Sequence, residues 1–156
     1  MSADNVNDAI NRTLRNTIHR EIGCFTDEIN KADRIYFLTD IESKKFDNFF
    51  AAIKAKPFNE TDTDIFEKDL LIIFDSEENE NSRFYNIVRS FKHSGGHVAV
   101  IVVNRDLDYL QFVDEVLGIN INQSDIDEYG VSSIFMGTMD TLLDEVDKKI
   151  IYFDKK

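Results

Sequence analysis

Three short polar segments of this sequence carry side chains suited to binding a ligand, and each follows an apolar run of strand length. They are residues 39–43, 75–81 and 104–106. Hydroxyl, amide and carboxylate groups in such turns can hold a polar ligand, and the free N–H groups at the start of a following helix favour an anion. The candidate ligand-binding residues within them are Thr39, Asp40, Ser43, Asp75, Ser76, Asn79 and Asn104.

The second of these segments is strongly acidic, because glutamates occupy positions 77, 78 and 80. Their charges would repel a phosphate, but they would also stabilise the N-terminus of the following helix through its macrodipole. Two interpretations therefore stay open. Either the segments are N-caps with acidic first turns, which the charge favours, or they hold a polar ligand between Thr39, Ser76 and Asn79.

The sequence does not specify catalytic groups. Asp40, Asp75 and Glu128 are carboxylates suited to general acid or base chemistry, but they are only three among 30 acidic residues. The phosphate-loop pattern G-x-x-x-x-G-K-[ST], the dinucleotide pattern G-x-G-x-x-G and the nucleophile-elbow pattern G-x-S-x-G are absent. No cofactor is therefore predicted, and the sequence leaves open whether the chain is an enzyme.

Metal binding is not predicted either. The three histidines, His19, His93 and His97, do not show the spacing of a metal-ligand set. The single cysteine cannot form a disulfide within the chain. The apolar content of 42% is enough to bury a core without disulfides or metals.

Composition and charge limit the range of partners. The 156 residues have a formal net charge of −12 and a pI of about 4.6, so nucleic acid and anionic membranes are repelled. No stretch approaches the roughly 20 apolar residues of a membrane span, and the polar start of the chain lacks the apolar core of a signal peptide. We expect one cytoplasmic domain covering residues 1–156, with no nucleic-acid or membrane partner.

Apolar runs and stripes indicate a parallel α/β sheet. Residues 35–38, 70–74 and 98–103 are continuously apolar, which is typical of strands that are buried on both faces. Strands that alternate with helices favour right-handed crossovers between parallel strands. The predicted fold class is therefore a three-layer α/β sandwich, flavodoxin-like, with a mostly parallel sheet of four or five strands.

The remaining elements are predicted from spacing and from turn residues. Apolar residues at steps of four and three predict one long N-terminal helix over residues 6–29. Ser43 is a plausible N-cap for a helix that must end before Pro57. Further helices are expected around residues 84–93, 107–116 and 131–146, with a weak edge strand at 118–121 and a last short strand at 150–153.

The order of these elements resembles that of the sugar isomerase (SIS) domain family. A long helix precedes residues 32–38, and residues 68–80 look like the family's strand followed by a serine-rich phosphate loop. Residues 94–104 look like its passage of glycine turn, strand and asparagine, and residues 129–143 are similar to the helix that closes its site. More narrowly, the layout resembles small SIS-like proteins of Gram-positive bacteria described as phosphoheptose isomerase-like.

This resemblance implies a role in binding phosphosugars, since SIS domains act as isomerases or as sugar-sensing regulatory domains. Ser76 takes the place of the family's loop serine and Asn79 that of its threonine, whereas Glu77 stands where the family has glycine. The implied function is that of an SIS-like sugar-phosphate-binding protein or a degenerate isomerase. The alternative is a non-catalytic regulatory or protein-interaction domain that has lost the site.

Two further expectations follow. SIS relatives commonly pair through helices, so the N-terminal apolar stripe is expected to support a homodimer. A receiver-like phosphorylation switch is a third functional class, because Asp40 and Asp75 each follow a strand. The long leading helix and the absence of a lysine after a late strand argue against that switch.

Overall fold

The computed structural model describes residues 4–61 and 64–152. The helices in this part of the chain are α1 (Val6–Arg15), α2 (His19–Lys31), α3 (Lys44–Ala52), α4 (Tyr85–His93), α5 (Gln123–Tyr129) and α6 (Val131–Lys149), with a 3₁₀ helix at Asp108–Phe112. The strands are β1 (Arg34–Thr39), β2 (Lys56–Pro57), β3 (Asp69–Asp75), β4 (His97–Val102) and β5 (Glu115–Gly118). Within residues 4–61 and 64–152, no helix combines the length and the apolar character needed to cross a bilayer.

The five described strands form one sheet in the order β2-β1-β3-β4-β5, and all neighbours pair in parallel. Thr39 lies opposite Phe74, and Asp75 lies opposite Val102. The carboxyl ends of β1, β3 and β4 therefore meet at one edge of the sheet. This arrangement confirms the predicted fold class.

Helices cover both faces of the sheet and bury it. All seven residues of β3 are buried, as the continuous apolar run predicts. On one face Phe74 packs with Phe46 of α3, which in turn contacts Phe135 of α6. On the other face Ile73 belongs to a cluster with α4 and with Tyr109 of the 3₁₀ helix. The three layers are thus held by apolar packing on both sides of β3.

The N-terminal helix differs from the prediction, because it consists of two helices rather than one. Residues 16–18 interrupt it. The side-chain amide of Asn16 donates to the Asn120 backbone carbonyl, and the side-chain amide of Asn120 donates to the Asn16 backbone carbonyl. Ile18 continues the four-residue spacing but is 44% exposed. The apolar stripe is buried within the subunit on the α2 side of the break, as at Phe25, and half-buried on the α1 side, as at Leu14.

The helix predicted over residues 107–116 is also corrected. Its first half forms the 3₁₀ helix, and Val116 belongs to β5, so the edge strand begins three residues earlier than residue 118. Asp114 explains the early start, since it accepts a hydrogen bond from the Val98 N–H while its own N–H donates to the Val98 carbonyl. Lys92 also pairs with Asp114 at 2.6 Å. These contacts hold the chain beside β4.

The other differences are small. Helix α5 and the two-residue strand β2 were not predicted from the sequence. Residues 150–152 do not form the predicted last strand, and Phe153 lies outside the described residues. Ser43 is the N-cap of α3, as predicted, and Gly95 follows α4 with a φ of +99°. That left-handed conformation favours glycine.

We expect Gly96→Ala to destabilise the protein by about 1–3 kcal/mol through overpacking. An added Cβ would overlap the ring of Phe91 and lie 2.8 Å from Ile65 Cγ2. Phe91 cannot yield easily, since it is 1% exposed and packs against other rings. Urea denaturation would measure the change.

Gly23→Ala is the matched control. This glycine lies inside α2, and an added Cβ would meet nothing within 4 Å. Because alanine has a higher helix propensity, we expect a gain of about 0.5–1 kcal/mol. A Gly96→Ala protein as stable as the wild type would contradict the packing described for Phe91.

Candidate functional site

The strand order places the candidate site at the carboxyl ends of β1 and β3. Strand β2 lies on one side of β1 and β3 on the other, so the order reverses between β1 and β3. The following helices pack on opposite faces, α3 on one and α4 on the other. In open parallel sheets this reversal opens the crevice in which ligands bind.

Asp40 and Ser76 meet in this crevice. The Ser76 N–H lies 3.1 Å from each carboxylate oxygen of Asp40, and the Ser76 hydroxyl donates to Oδ2 at 2.7 Å. The backbone N–H of Asp40 donates in turn to the Phe74 carbonyl at 3.2 Å. The first two polar segments of the sequence are therefore joined directly.

The geometry at Ser76 is that of an oxyanion site. A backbone N–H and a hydroxyl converge on one negatively charged group, and charge-assisted hydrogen bonds of this kind hold carboxylates and phosphates alike. Here the anion is the protein's own Asp40 carboxylate. Both donors of Ser76 are thus engaged in this conformation.

Asp75 is buried and organises the loop that carries Ser76. It is 0% exposed, and its carboxylate accepts hydrogen bonds from the Glu77 N–H at 3.0 Å, the Ser82 hydroxyl at 3.1 Å and the Tyr109 hydroxyl at 2.9 Å. These three donors connect both ends of the loop to the 3₁₀ helix. Asp75 is therefore a positioning residue and does not face the crevice as a free carboxylate.

Burial shifts the pKa values of Asp75 and Tyr109. Burial raises the pKa of Asp75, and the nearby negative charge of Asp40 raises it further, while the hydrogen bonds that Asp75 accepts lower it. Burial also raises the pKa of Tyr109, together with the charge of Asp75. Tyr109 therefore stays a hydrogen-bond donor at physiological pH.

Asn104 supports the same loop from the end of β4. Its side-chain amide donates to the Glu78 carbonyl at 2.8 Å, and its side-chain oxygen accepts from the Asp106 N–H at 2.8 Å. The Asp108 N–H donates to the Glu80 carbonyl at 2.8 Å. The third polar segment thus positions the second.

The other candidate residues have separate places. Ser43 caps α3 by accepting from the Lys45 N–H at 3.1 Å. Thr39 is the half-buried last residue of β1, and Asn79 is exposed at the tip of the loop. Within the described residues, no side-chain hydrogen bond links Thr39 or Asn79 to Ser76. The structure therefore brings together Asp40 and Ser76, and assigns supporting contacts to Asp75, Asn104 and Ser43.

One important side chain was not identified from the sequence. The Tyr109 hydroxyl donates a hydrogen bond to Asp75, although Tyr109 did not stand out in the sequence. Tyr109 lies between the apolar positions that predicted a helix over residues 107–116. The contact between Tyr109 and Asp75 depends on the tertiary structure, which packs the 3₁₀ helix against the loop that follows β3.

The crevice is acidic at its rim. Glu42 and Glu78 are exposed beside it, and Glu77 pairs with Arg83 at 3.2 Å. No group of three metal-ligating side chains occurs in residues 4–61 and 64–152. An anion that enters the crevice therefore meets Ser76 donors that Asp40 already engages, together with the carboxylates of the rim.

A cavity of about 430 Å³ lies at the opposite edge of the sheet, between the end of α2 and the starts of β3 and β4. Lys31, Leu70 and His97 are among its lining residues. None of the candidate residues lines it. The candidate site at Ser76 is defined by hydrogen-bond geometry and strand order.

Solved structures of low sequence identity share this fold. The sugar isomerase domain of an RpiR transcription factor from Sphaerobacter thermophilus is 13% identical, with a TM-score of 0.68 over 92% of this chain and 86% of that one. A Methanococcus jannaschii protein, whose structure led to an inferred function of 3-hexulose-6-phosphate isomerase, is 14% identical. Its TM-score is 0.65 over 91% of this chain and 89% of that one.

A third similar structure contains a sugar phosphate. Vibrio vulnificus NanR, complexed with ManNAc-6P, is 10% identical with a TM-score of 0.70 over 93% of this chain, which spans 58% of that chain. No protein-family model and no curated protein sequence matches this chain. The structural likenesses show that the chain has the fold of SIS domains, which confirms the fold implied by its sequence pattern.

We expect Tyr109→Phe to lower the free energy of unfolding by about 1–3 kcal/mol, because the buried Asp75 loses a hydrogen-bond donor. Tyr85→Phe is the matched control, since this half-buried ring packs on Phe112 and its hydroxyl has no hydrogen bond within the described residues. The control should change stability by less than about 0.5 kcal/mol. Equal effects of the two variants, measured by urea denaturation, would contradict the role given to Asp75.

The raised pKa of Asp75 also predicts a pH dependence. In the unfolded chain the Asp75 carboxyl loses its proton near the ordinary pKa of 3.8, whereas in the folded protein it keeps the proton to a higher pH. The stability contributed by Asp75 is therefore lost as the pH rises through its folded-state pKa. The free energy of unfolding of the wild type, relative to Asp75→Asn, should therefore fall as the pH increases from 3.8. A difference that stays constant or increases over that range would show that the pKa is not raised.

Proposed function

We propose that this chain is an SIS-type domain that binds a sugar phosphate at the carboxyl ends of β1 and β3. The observation that carries the proposal is the convergence of the Ser76 N–H and hydroxyl on one oxyanion at the point where the strand order reverses. Parallel sheets bind ligands at such points. The likeness to a structure that holds ManNAc-6P supports the choice of ligand class.

In this proposal the phosphate takes the two donors of Ser76. Thr39, at the end of β1, and Asn79, exposed at the tip of the loop, contact the hydroxyls of the sugar. Asp75 holds the loop by accepting from the Glu77 N–H, and Asn104, at the end of β4, holds it by donating to the Glu78 carbonyl. The loop is thus prepared for a ligand before one arrives, which lowers the entropic cost of binding.

Binding, rather than isomerisation, is the function we propose. Aldose–ketose isomerisation needs a base that moves a proton between neighbouring carbons of the sugar. Of the two strand-end carboxylates, Asp75 is buried with three hydrogen bonds, and Asp40 is engaged by Ser76. Asp75 is therefore not free to act as that base, and Asp40 becomes free only once a ligand takes its place at Ser76.

A second candidate function is that of a regulatory or protein-interaction domain without a ligand. The observation in its favour is the occupation of both Ser76 donors by Asp40, together with the acidic rim of the crevice. Such a domain would keep the fold and present the loops to another protein. The two functions differ in whether any sugar phosphate stabilises the protein.

We further propose that the protein is a cytoplasmic homodimer, as the sequence suggested. The apolar stripe is buried within the subunit along α2 but only half-buried along α1, so a dimer would use the partly exposed part of the stripe. Ile18, which is 44% exposed at the break between α1 and α2, is a candidate contact. A mass of one subunit in light scattering at micromolar concentration would contradict the homodimer.

A thermal-shift screen with hexose phosphates and N-acetylhexosamine phosphates tests the proposed function. A ligand at 100 times its dissociation constant should stabilise the wild type by about 2.7 kcal/mol. The double variant Ser76→Ala, Asn79→Ala should lose the shift, because it lacks the hydroxyl donor and a flanking amide. Ser90→Ala, at an exposed serine of α4, is the matched control and should keep it.

Two results would contradict the proposal. Absence of a shift with every sugar phosphate would favour the interaction domain. A shift that persists in the double variant would place the ligand elsewhere in the molecule.

A further inference from the structure

We propose that Asp40 is a built-in competitor for the phosphate and thereby determines which ligands the site accepts. This inference rests on the proposed function and concerns its selectivity. Asp40 holds the Ser76 N–H at 3.1 Å and the Ser76 hydroxyl at 2.7 Å, which are the two donors that an incoming oxyanion needs. Ligand binding is therefore an exchange of one anion for another.

The exchange requires only a side-chain rotation. The backbone of Asp40 is anchored because its N–H donates to the Phe74 carbonyl, directly after the paired residues Thr39 and Phe74. The Ser76 loop is fixed through Asp75 and Asn104. The carboxylate of Asp40 is only half-buried, directly after the end of β1, so in this proposal it turns to solvent while both main chains stay in place.

Electrostatics prevent both anions from binding together. A phosphate beside Ser76 would lie within hydrogen-bond distance of the position that Asp40 now occupies, and the two negative charges would repel one another. The buried Asp75 lies behind the same loop, and its pKa is already raised in part by Asp40. The apparent affinity for phosphate is therefore the intrinsic affinity multiplied by the fraction of molecules in which Ser76 is free.

This competition selects for phosphate monoesters. A neutral sugar cannot replace a charged acceptor at Ser76, and a sugar acid offers a carboxylate equivalent to the one already present. A phosphate monoester carries up to two negative charges and three terminal oxygens, so it can accept from both Ser76 donors and still bind others. The site is therefore expected to discriminate against neutral sugars and sugar acids.

Calorimetric titration of inorganic phosphate into the wild type and Asp40→Ala tests the inference. We expect Asp40→Ala to bind phosphate at least tenfold more tightly, because its Ser76 donors are free. Asp40→Asn removes the charge but keeps an oxygen that can accept from the Ser76 N–H, so its affinity should be intermediate. This second variant also preserves the test if Asp40→Ala folds poorly.

Two control variants separate competition from a general change in charge. Glu42→Gln removes one negative charge from an exposed residue beside the crevice without touching the contact between Asp40 and Ser76. It should change phosphate affinity less than twofold. Adding Ser76→Ala to Asp40→Ala should abolish most of the gain, since the freed hydroxyl is then missing.

The possible results distinguish the inference from the proposed function. Wild-type binding of sugar phosphates with no gain in Asp40→Ala would overturn the competitor role and leave the proposed function intact. Phosphate binding by Asp40→Ala alone would support the competitor role and contradict sugar-phosphate binding by the wild type. No binding by any variant would overturn both proposals. If Glu42→Gln gained as much phosphate affinity as Asp40→Ala, the change in net charge would explain the gain and the competitor role would be wrong.

Discussion

The parallel pairing of β1 with β3 places one carboxylate beside two hydrogen-bond donors, and the proposed site depends on that placement. Because Thr39 lies opposite Phe74, Asp40 and Ser76 leave the sheet side by side. A slip of one residue would turn every side chain of β3 to the other face. Since both faces are buried, contacts such as that of Phe74 with Phe46 hold the register. The apolar core thus determines a polar contact at the edge.

A second constraint is the burial of Asp75. A buried carboxylate is tolerated only when its oxygens are hydrogen-bonded, and here the Glu77 N–H, the Ser82 hydroxyl and the Tyr109 hydroxyl supply those bonds. The requirement fixes the loop around Asp75, and in the proposed exchange only the side chain of Asp40 has to move. A fixed loop beside one exchangeable carboxylate would give the proposed exchange its physical basis.

The fold alone does not specify what the crevice binds, since one architecture supports many functions. The chain shares its fold with an RpiR sugar isomerase domain at 13% identity, yet its own crevice holds an internal carboxylate and an acidic rim. With a net charge of −12, long-range attraction of anions is absent. Any anion selectivity must therefore come from short-range donors such as those of Ser76.

The amino-acid sequence by itself determined the buried strands and most helices, because continuous apolar runs and four-residue stripes are local signals. It also identified the strand-end segments that contain Asp40 and Ser76. It could not reveal that these two residues bind each other, since they are distant in the chain and meet only through strand order. The break near Asn16 and the early start of β5 near Asp114 likewise depend on partners remote in sequence. Long-range hydrogen bonds, which local patterns do not encode, were decided by the tertiary structure alone.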